Sequence, residues 1–327
     1  MQQRNLGGTG LTVSAVGLGC MGFSQGYGEV DDDESIAAIH TAIDSGITLF
    51  DTAQSYGGGH NERLLARALR GAGESVRVAT KFGIVRGESG VHLDAKPERV
   101  REYCDASLAR LDREVIDLYY LHRIDPDVPV AETVGAMAEL VAAGKVRRLG
   151  ISEATPEQLA QAVAVHPIAA AQFEWSMLWR EPENDIVPTA RDLGIALVPY
   201  SPLGRGLLTA TLDTATVAAS DFRRNDPRFS GDNLASNLAQ VGALRDLAAR
   251  LGITAGQLAL AWLLAQGPDV VPIPGSRRAQ RIVENAEAAA VELTADNLAE
   301  LEKIVPADGW AGDRQSFAAH GTSRTGS

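Results

Sequence analysis

The chain reads as an α/β protein, a (β/α)8 TIM barrel with an N-terminal β-hairpin and extra helices and loops. Short apolar runs alternate with amphipathic segments along most of the 327 residues, the alternation that builds an all-parallel sheet. Eight such runs can be counted, the number a closed parallel barrel needs, and barrels of this length routinely form one domain. The polar residues that end the runs fall where barrels carry their chemistry, at the C-terminal ends of strands. An open doubly wound sheet is the competing architecture, and the count and the polar placement favour the barrel.

Residues 4–14 carry the turn Gly7-Gly8-Thr9-Gly10 between two short strand-like pieces, which reads as a hairpin ahead of the main fold. Strands are expected near 15–19, 47–51, 76–81, 116–121, 147–151, 168–172, 195–199 and 270–273. Helices are expected near 33–45, 60–70, 97–111, 130–143, 156–165, 184–193, 254–265 and 278–287, with an extra one near 238–251. Thr155-Pro156-Glu157 supplies a capping hydroxyl and a first-turn proline, while Gly46, Gly144 and Gly194 stand just past periodic runs as stop signals. The stretch from Leu207 to Asn237 lacks periodicity and reads as a long loop, expected to act as a lid or cofactor clasp. A single domain is expected over 1–327, with a flexible tail at roughly 310–327 from which Trp310 is able to fold back toward the barrel mouth.

Hydrophobic residues make up 45% and charged residues 22%, the proportions of an ordinary globular protein with a sizeable core. A net charge of −12 argues against a broad nucleic-acid or anionic-membrane surface, since phosphate binding needs a basic footprint. Any anion site must be local. The start, Met1-Gln2-Gln3-Arg4-Asn5, lacks an apolar signal region, and no apolar run approaches spanning length, so a cytoplasmic location is expected. The two cysteines, Cys20 and Cys104, have no metal-ligand spacing and read as buried free thiols; no metal site is expected.

Gly17-Leu18-Gly19-Cys20-Met21-Gly22 matches GxGxxG after a strand and invites a dinucleotide-fold reading. That fingerprint requires the glycines to open a helix whose N-terminus faces the pyrophosphate. Here Phe23-Ser24-Gln25-Gly26-Tyr27-Gly28 follows, which is loop, and the reading is set aside.

The stretch Leu49-Phe50-Asp51-Thr52-Ala53-Gln54-Ser55-Tyr56 ends an apolar strand in an acid, with a tyrosine five residues later. The next two strands end in Lys81 and His122, so four groups able to protonate a carbonyl converge on one rim. Tyrosine, with a pKa near 10, is a poor acid at neutral pH unless a positive charge favours its ionised form. Lys81 supplies that charge, Asp51 holds Lys81 cationic, and His122 donates a hydrogen bond to the substrate oxygen. Each residue alone has an ordinary structural explanation; three strand-end polar residues on consecutive strands do not share one.

With these residues in view, the chain resembles the aldo-keto reductases from Gly17-Leu18-Gly19 through Glu284-Asn285. The matching stretches are Phe50-Asp51-Thr52-Ala53 with Tyr56-Gly57 and Asn61-Glu62, the Thr80-Lys81 pair, Asp117-Leu118-Tyr119-Tyr120-Leu121-His122, and Gly144-Lys145-Val146-Arg147. The resemblance implies Tyr56 as general acid/base, Lys81 and Asp51 as the groups that tune it, and His122 as the group that positions the carbonyl.

Hydride chemistry needs a carrier, because no side chain supplies hydride. Pro272-Ile273-Pro274-Gly275-Ser276-Arg277-Arg278 follows the last strand, and Arg281 and Glu284-Asn285 follow at helical spacing. Hydroxyl and guanidinium groups at a helix N-terminus after the eighth strand make a phosphate site. The resemblance implies Ser276, Arg277 and Arg281 as ligands of an adenosine 2′-phosphate beside Gly275, where many relatives have lysine. It also places Glu284 and Asn285 near the adenine, and so implies NADPH/NADP+ as the cofactor. Ser152 and Gln172 are implied for the carboxamide, Tyr200 for the stacking platform, and Ser201, Leu203, Gly204 and Leu207 along the pyrophosphate. After Ser152 the family's familiar residue is asparagine, whereas this chain has Glu153.

Substrate contacts are expected from Met21, Phe23, Trp175 and Trp179, with Trp310 a further candidate; such apolar walls favour aromatic or aliphatic carbonyls over charged sugars. The partner is thus a small-molecule carbonyl substrate, with no nucleic acid and no membrane; a homo-oligomer is compatible with the sequence. Two other readings compete: a non-catalytic redox-sensing subunit that keeps the barrel and the nucleotide, and a phosphate-binding barrel isomerase or lyase that needs no nicotinamide.

Overall fold

Side chains two apart along each strand face the same side of a sheet, and in this chain the inward set is apolar low in the strand and polar at its end. The computed structural model describes residues 1–87, 90–212 and 221–314. The hairpin comes first, β1 (Gln3–Leu6) against β2 (Leu11–Ser14), paired antiparallel. Seven parallel strands follow in one sheet: β3 (Leu18–Gly19), β4 (Leu49–Asp51), β5 (Arg77–Phe82), β8 (Ile116–Leu121), β9 (Val146–Ser152), β10 (Ile168–Glu174) and β11 (Ala196–Tyr200). Between β5 and β8 lies a second antiparallel hairpin, β6 (Ile84–Gly87) and β7 (Gly90–Leu93), which periodicity did not reveal.

The eighth position of the ring is filled by the chain at 270–274, expected as a strand and found to be only half of one. Val271 N–H donates to Leu197 O and Ile273 N–H to Pro199 O, at 2.8 and 3.0 Å, which joins it to β11. On its other side Pro272 O and Pro274 O accept from Gly17 N–H and Gly19 N–H, at 2.9 and 3.2 Å. Pro272 and Pro274 have no N–H to return, so the ladder toward β3 carries bonds in one direction only. The ring still closes.

Ten helices are described around this ring: α1 (Asp32–Asp44), α2 (His60–Ala68), α3 (Pro97–Leu111), α4 (Val130–Ala142), α5 (Pro156–Val163), α6 (Ile186–Asp192), α7 (Gly231–Arg250), α8 (Ala255–Ala265), α9 (Ala279–Glu287) and α10 (Ala295–Ile304). The expected cap is present on α5, where Thr155 Oγ1 accepts from Gln158 N–H and the Gln158 side chain accepts from Thr155 N–H. α7 starts at Gly231, seven residues before the expected helix, so the irregular stretch is shorter than its composition suggests. Of that stretch, residues 213–220, where a lid was expected, lie outside the described residues. α10 was not anticipated. Cys20 and Cys104 are both free and buried, and burial pushes both thiols up.

Two hydrophobic layers result. The larger lies between strands and helices; the smaller fills the barrel, with Leu49, Ala79, Leu118, Tyr120, Val198 and Ile273 among its members. Leu6, Leu11 and Val13 belong to the inner layer, so the hairpin plugs the N-terminal end of the barrel. The open end is therefore the C-terminal one, where the polar residues stand. Among the described residues no single helix is long and apolar enough to cross a membrane.

Closure of the ring depends on two facing glycines. A Cβ on Gly275 would lie 2.7 Å from Gly19 O, and one on Gly19 would lie 2.8 Å from Ile273 O. A lysine at 275, like any residue with a Cβ, does not fit this backbone approach. Gly275→Ala is therefore expected to lower stability by about 1–3 kcal/mol through overpacking. Gly8→Ala, at a φ of −76° with nothing within 4 Å of the added methyl, should stay within about 0.5 kcal/mol. Urea denaturation of both variants checks the contrast, and equal effects would remove the closure argument.

Candidate active site

Parity brings the polar groups together. Leu49, Ala79, Leu118, Tyr120 and Val198 face the barrel interior, so Asp51, Lys81, His122 and Tyr200, each two residues beyond one of them, face the same axis one layer higher. The register Asp51↔Ala79, Lys81↔Tyr120 and Tyr120↔Gly150 fixes their relative heights. Gly150 is required here, since a Cβ would meet the Tyr120 ring at 2.4 Å.

Lys81 is wholly buried, and its ammonium donates to Asp51 Oδ1, to Thr52 O at 2.9 Å and to Tyr56 Oη at 3.5 Å. Three acceptors match the three N–H bonds of an ammonium. Burial pushes the Asp51 carboxyl up. Lys81 is held above the ordinary lysine value because its contacts with Asp51 and Tyr56 outweigh the burial that would lower it. The second oxygen of Asp51 accepts from Gln172 Nε2 at 2.8 Å. Gln172, assigned to the cofactor by resemblance, thus also orients the acid under Lys81.

Lys81 favours the ionised form of Tyr56, as expected, but it does not act alone. Burial raises it first, Lys81 pulls it down second, and the balance is a phenol above its ordinary value. Tyr56 is therefore protonated at neutral pH. The His122 ring meets the Tyr56 ring edge to face, centroids 5.8 Å apart. Burial, and then the charge of Arg123, hold His122 well below the usual imidazole range, so it is neutral and carries one N–H.

The first loop is tied to α2 by side chains. Asn61 Nδ2 donates to Cys20 O and to Ser24 Oγ, both at 2.8 Å, and Asn61 Oδ1 accepts from Thr52 Oγ1 at 2.5 Å. His60 bridges Ser24 Oγ (2.8 Å) to Asp32 Oδ1 (2.9 Å). Glu62, fully buried, accepts from Thr80 Oγ1 at 2.6 Å and pairs with Arg110. The Asn61-Glu62 stretch therefore positions the loop after β4 and the strand that bears Lys81.

The expected phosphate end stands on the same rim. Arg277 donates to Glu29 O and Tyr27 O, both at 2.7 Å; Arg281 pairs with Glu284 at 2.6 Å and donates to Thr211 Oγ1 at 3.1 Å. Ser276 Oγ accepts from Arg278 N–H at 3.1 Å, which fixes the turn into α9, and Asn285 within that helix is buried. In the 201–210 turn, Ser201 and Arg205 hold left-handed φ of 50° and 57°, and Gly204 one of 54°. Leu203 is partly buried and Leu207 buried, and both belong to the outer hydrophobic layer.

The four residues expected as substrate walls differ in burial. Phe23 and Trp175 are each 1% exposed and pack in the outer core, where Trp175 donates its indole N–H to Glu183 at 3.0 Å. Neither side chain is presented to the mouth as an open wall. Met21 and Trp179 are half-buried at the rim, and Trp310 returns to the core as the composition allowed.

Sequence reading missed an ionic lattice under the mouth. Arg205 bridges Asp226 (2.9 Å) and Glu174 (3.2 Å), and Arg228 bridges Glu174 (2.7 Å) and Asp226 (2.8 Å), all four buried. Glu153, at a left-handed φ of 57°, accepts from Tyr200 Oη at 3.0 Å and from Arg314 Nη1 at 3.0 Å. The C-terminal stretch expected to be flexible is thus anchored through Arg314, with Ala311 N–H on Asn237 Oδ1 at 2.8 Å; residues 315–327 lie outside the described residues. The only signal was the charge run Asp221 to Arg228.

The comparisons with known proteins agree with this geometry. The sequence model of the Aldo/keto reductase family matches residues 15–306. The chain belongs to the aldo/keto reductase family. A probable aldo-keto reductase 1 from Glycine max is 44% identical to this reductase over 317 residues, 96% of this chain and 92% of the relative. The glycerol dehydrogenase AKR11B4 from Gluconobacter oxydans superposes with a TM-score of 0.87 at 31% identity, covering 97% of this chain and 99% of that one. An aldo-keto reductase from Klebsiella pneumoniae, solved with NADPH, superposes with a TM-score of 0.71 at 27% identity, covering 94% and 96%. This reductase is accordingly an NAD(P)H-dependent oxidoreductase on an α/β barrel.

Its ionic lattice has a pH signature. The charges of Arg228 and Arg205 outweigh burial and lower the Glu174 carboxyl to about 2. A folded value below the unfolded one contributes stability at pH values above the ordinary carboxylate range, and that contribution is lost as pH falls from there toward the folded value. Glu174→Gln should therefore lower stability at neutral pH and flatten its loss between about pH 4.5 and pH 2. Urea midpoints measured across that window check it; an unchanged acid slope would mean that Glu174 does not carry the effect.

Proposed function

We propose that this protein is an NADPH-dependent carbonyl reductase, converting aldehydes and ketones to alcohols with Tyr56 as proton donor. The observation that carries the reading is the wholly buried Lys81 ammonium, in contact with Asp51 on one side and the Tyr56 phenol on the other. A positive charge beside a protonated phenol serves no packing purpose, and it stabilises the tyrosinate that proton transfer leaves behind.

The rim suits the cofactor that the family resemblance implies. Arg277, Arg278 and Arg281 gather with Ser276 at the start of α9 in a chain of net charge −12, a donor set for a 2′-phosphate. The likeness to the Klebsiella enzyme solved with NADPH supports the same choice. Ser152, Gln172 and Tyr200 would hold the nicotinamide end, the 201–207 turn the pyrophosphate, and Glu284 with Asn285 the adenine. When bound, NADPH supplies the hydride that the carbonyl carbon accepts.

The chain's own groups do the rest. Neutral His122 directs an N–H at the carbonyl oxygen and aligns it. Tyr56 releases its proton to that oxygen as negative charge builds there, and Lys81 stabilises the phenolate. Asp51 keeps Lys81 charged, and Gln172 keeps Asp51 turned toward it. Presence of all four groups in contact favours catalysis over the redox-sensing reading.

Tyr56→Phe is expected to lower carbonyl turnover roughly 10²–10⁴-fold while NADPH affinity, followed by quenching of tryptophan fluorescence, stays within about three-fold. Turnover at the parental rate would sink the assignment. Arg281→Ala should weaken NADPH about ten-fold and NADH less than about two-fold; equal weakening of both would mean that Arg281 reads no 2′-phosphate.

A further inference from the structure

Arg123 follows His122 directly and is 6% exposed. One of its nitrogens is fully used: Nη1 donates to His122 O at 2.7 Å and to Ser152 Oγ at 3.1 Å. Its Nε is buried and has no hydrogen-bond partner. Buried donors are almost always satisfied in native structures, so each exception asks for a reason.

The charge of Arg123 is as unusual as its hydrogen bonding. Arg205, Arg228 and Arg314, the other buried guanidiniums of the mouth, each touch a carboxylate. Among the described residues no ion pair joins Arg123 to a carboxylate, and the Glu153 charge reaches it only at longer range. The nearby carboxylates are committed elsewhere: Asp51 to Lys81, Glu153 to Arg314, and Glu174 to Arg205 and Arg228. Asp125, two residues along, turns its carboxylate to the N–H groups of Ala95 (3.2 Å) and Asp127 (3.0 Å). A buried guanidinium with no carboxylate against it is costly, and this one lies beside the residue that aligns the substrate.

We propose that Arg123 anchors an anionic substituent of the substrate, a carboxylate, so that the enzyme acts on aldehydes or ketones that also carry a carboxylate. This rests on the carbonyl-reductase reading of the same site. With Nη1 held by His122 O and Ser152 Oγ, the side of the guanidinium still free of bonds is the edge formed by Nε and Nη2. Two parallel N–H bonds on one edge match the two oxygens of a carboxylate, which a spherical cation would not distinguish. The apolar rim at Met21 and Trp179 then faces the body of the substrate, while its charge is received on the barrel side.

The test compares kcat/KM with NADPH for 4-carboxybenzaldehyde and for benzaldehyde. The wild-type enzyme should prefer the carboxylated aldehyde about ten-fold or more, Arg123→Met should bring the ratio near one, and Arg123→Lys should leave it between the two. Calorimetric binding of 4-(hydroxymethyl)benzoate and of benzyl alcohol to the enzyme saturated with NADP+ should follow the same order. A wild-type ratio near one, or a ratio that Arg123→Met leaves unchanged, overturns the proposal. So does a preference for 4-formylphenyl phosphate above the carboxylate, or a loss of NADPH affinity in Arg123→Met that matches the loss of 4-carboxybenzaldehyde turnover, which would make Arg123 a cofactor ligand. If wild-type enzyme binds no NADPH or reduces neither aldehyde, the carbonyl-reductase reading fails first. Benzaldehyde reduced without any carboxylate preference refutes the anchor alone.

Discussion

A lysine ammonium with no access to solvent is tolerated only where hydrogen-bond acceptors and a carboxylate surround it, and much of the barrel mouth answers that need. Asp51 supplies the charge, Thr52 O an acceptor, and the Tyr56 phenol the third contact. Gln172, from the far side of the ring, fixes the second oxygen of Asp51. None of these elements neighbours all the others in sequence. The ring must close for them to meet, and closure passes through the proline-interrupted chain at 270–274 and the bare backbones of Gly19 and Gly275.

Beneath the cofactor rim, charge is organised on the same principle. Glu174 ends β10, two residues beyond Gln172, and holds Arg205 and Arg228, which Asp226 also joins. One lattice thus links the strand that orients Asp51 to the 201–210 turn and to the segment leading into α7. Glu153 and Arg314 repeat the arrangement on the tail side, with the Tyr200 phenol as a third member. An asparagine at 153 would offer Arg314 no counter-charge. Glutamate at 153 and arginine at 314 therefore make sense together, as two halves of one contact. Among the described residues Arg123 has no carboxylate in direct contact, the difference on which its proposed role as an anchor rests.

The fold was largely legible because its signals are local and repeated. Eight apolar runs and their intervening amphipathic segments announced the barrel, and Thr155 and Pro156 announced the start of α5 within a residue. Where the sequence misled, the cause lies in distance or geometry. The chain at 270–274 is apolar enough for a strand, yet alternate prolines remove the donors for one of its two neighbours. The polar composition of 207–237 concealed the first turns of α7, which hold contacts remote in sequence such as that of Asn237 with Ala311. Phe23 and Trp175 read as mouth residues from their position after strands, but side-chain parity turns Trp175, next to inward-facing Glu174, into the outer core.

By itself the sequence determined the alternation of strands and helices, the strand-end placement of Asp51, Lys81 and His122 with Tyr56 behind them, and the cluster of arginines before α9. These follow from residue type and spacing, which a chain carries before it folds. Tertiary structure alone decided the protonation balance of Tyr56, because burial and the Lys81 charge act in opposite directions and their sum depends on packing. It also decided which of the buried arginines are paired, since Glu153 and Arg314 are 161 residues apart and their contact exists only once the barrel has closed and the C-terminal stretch has returned to its mouth.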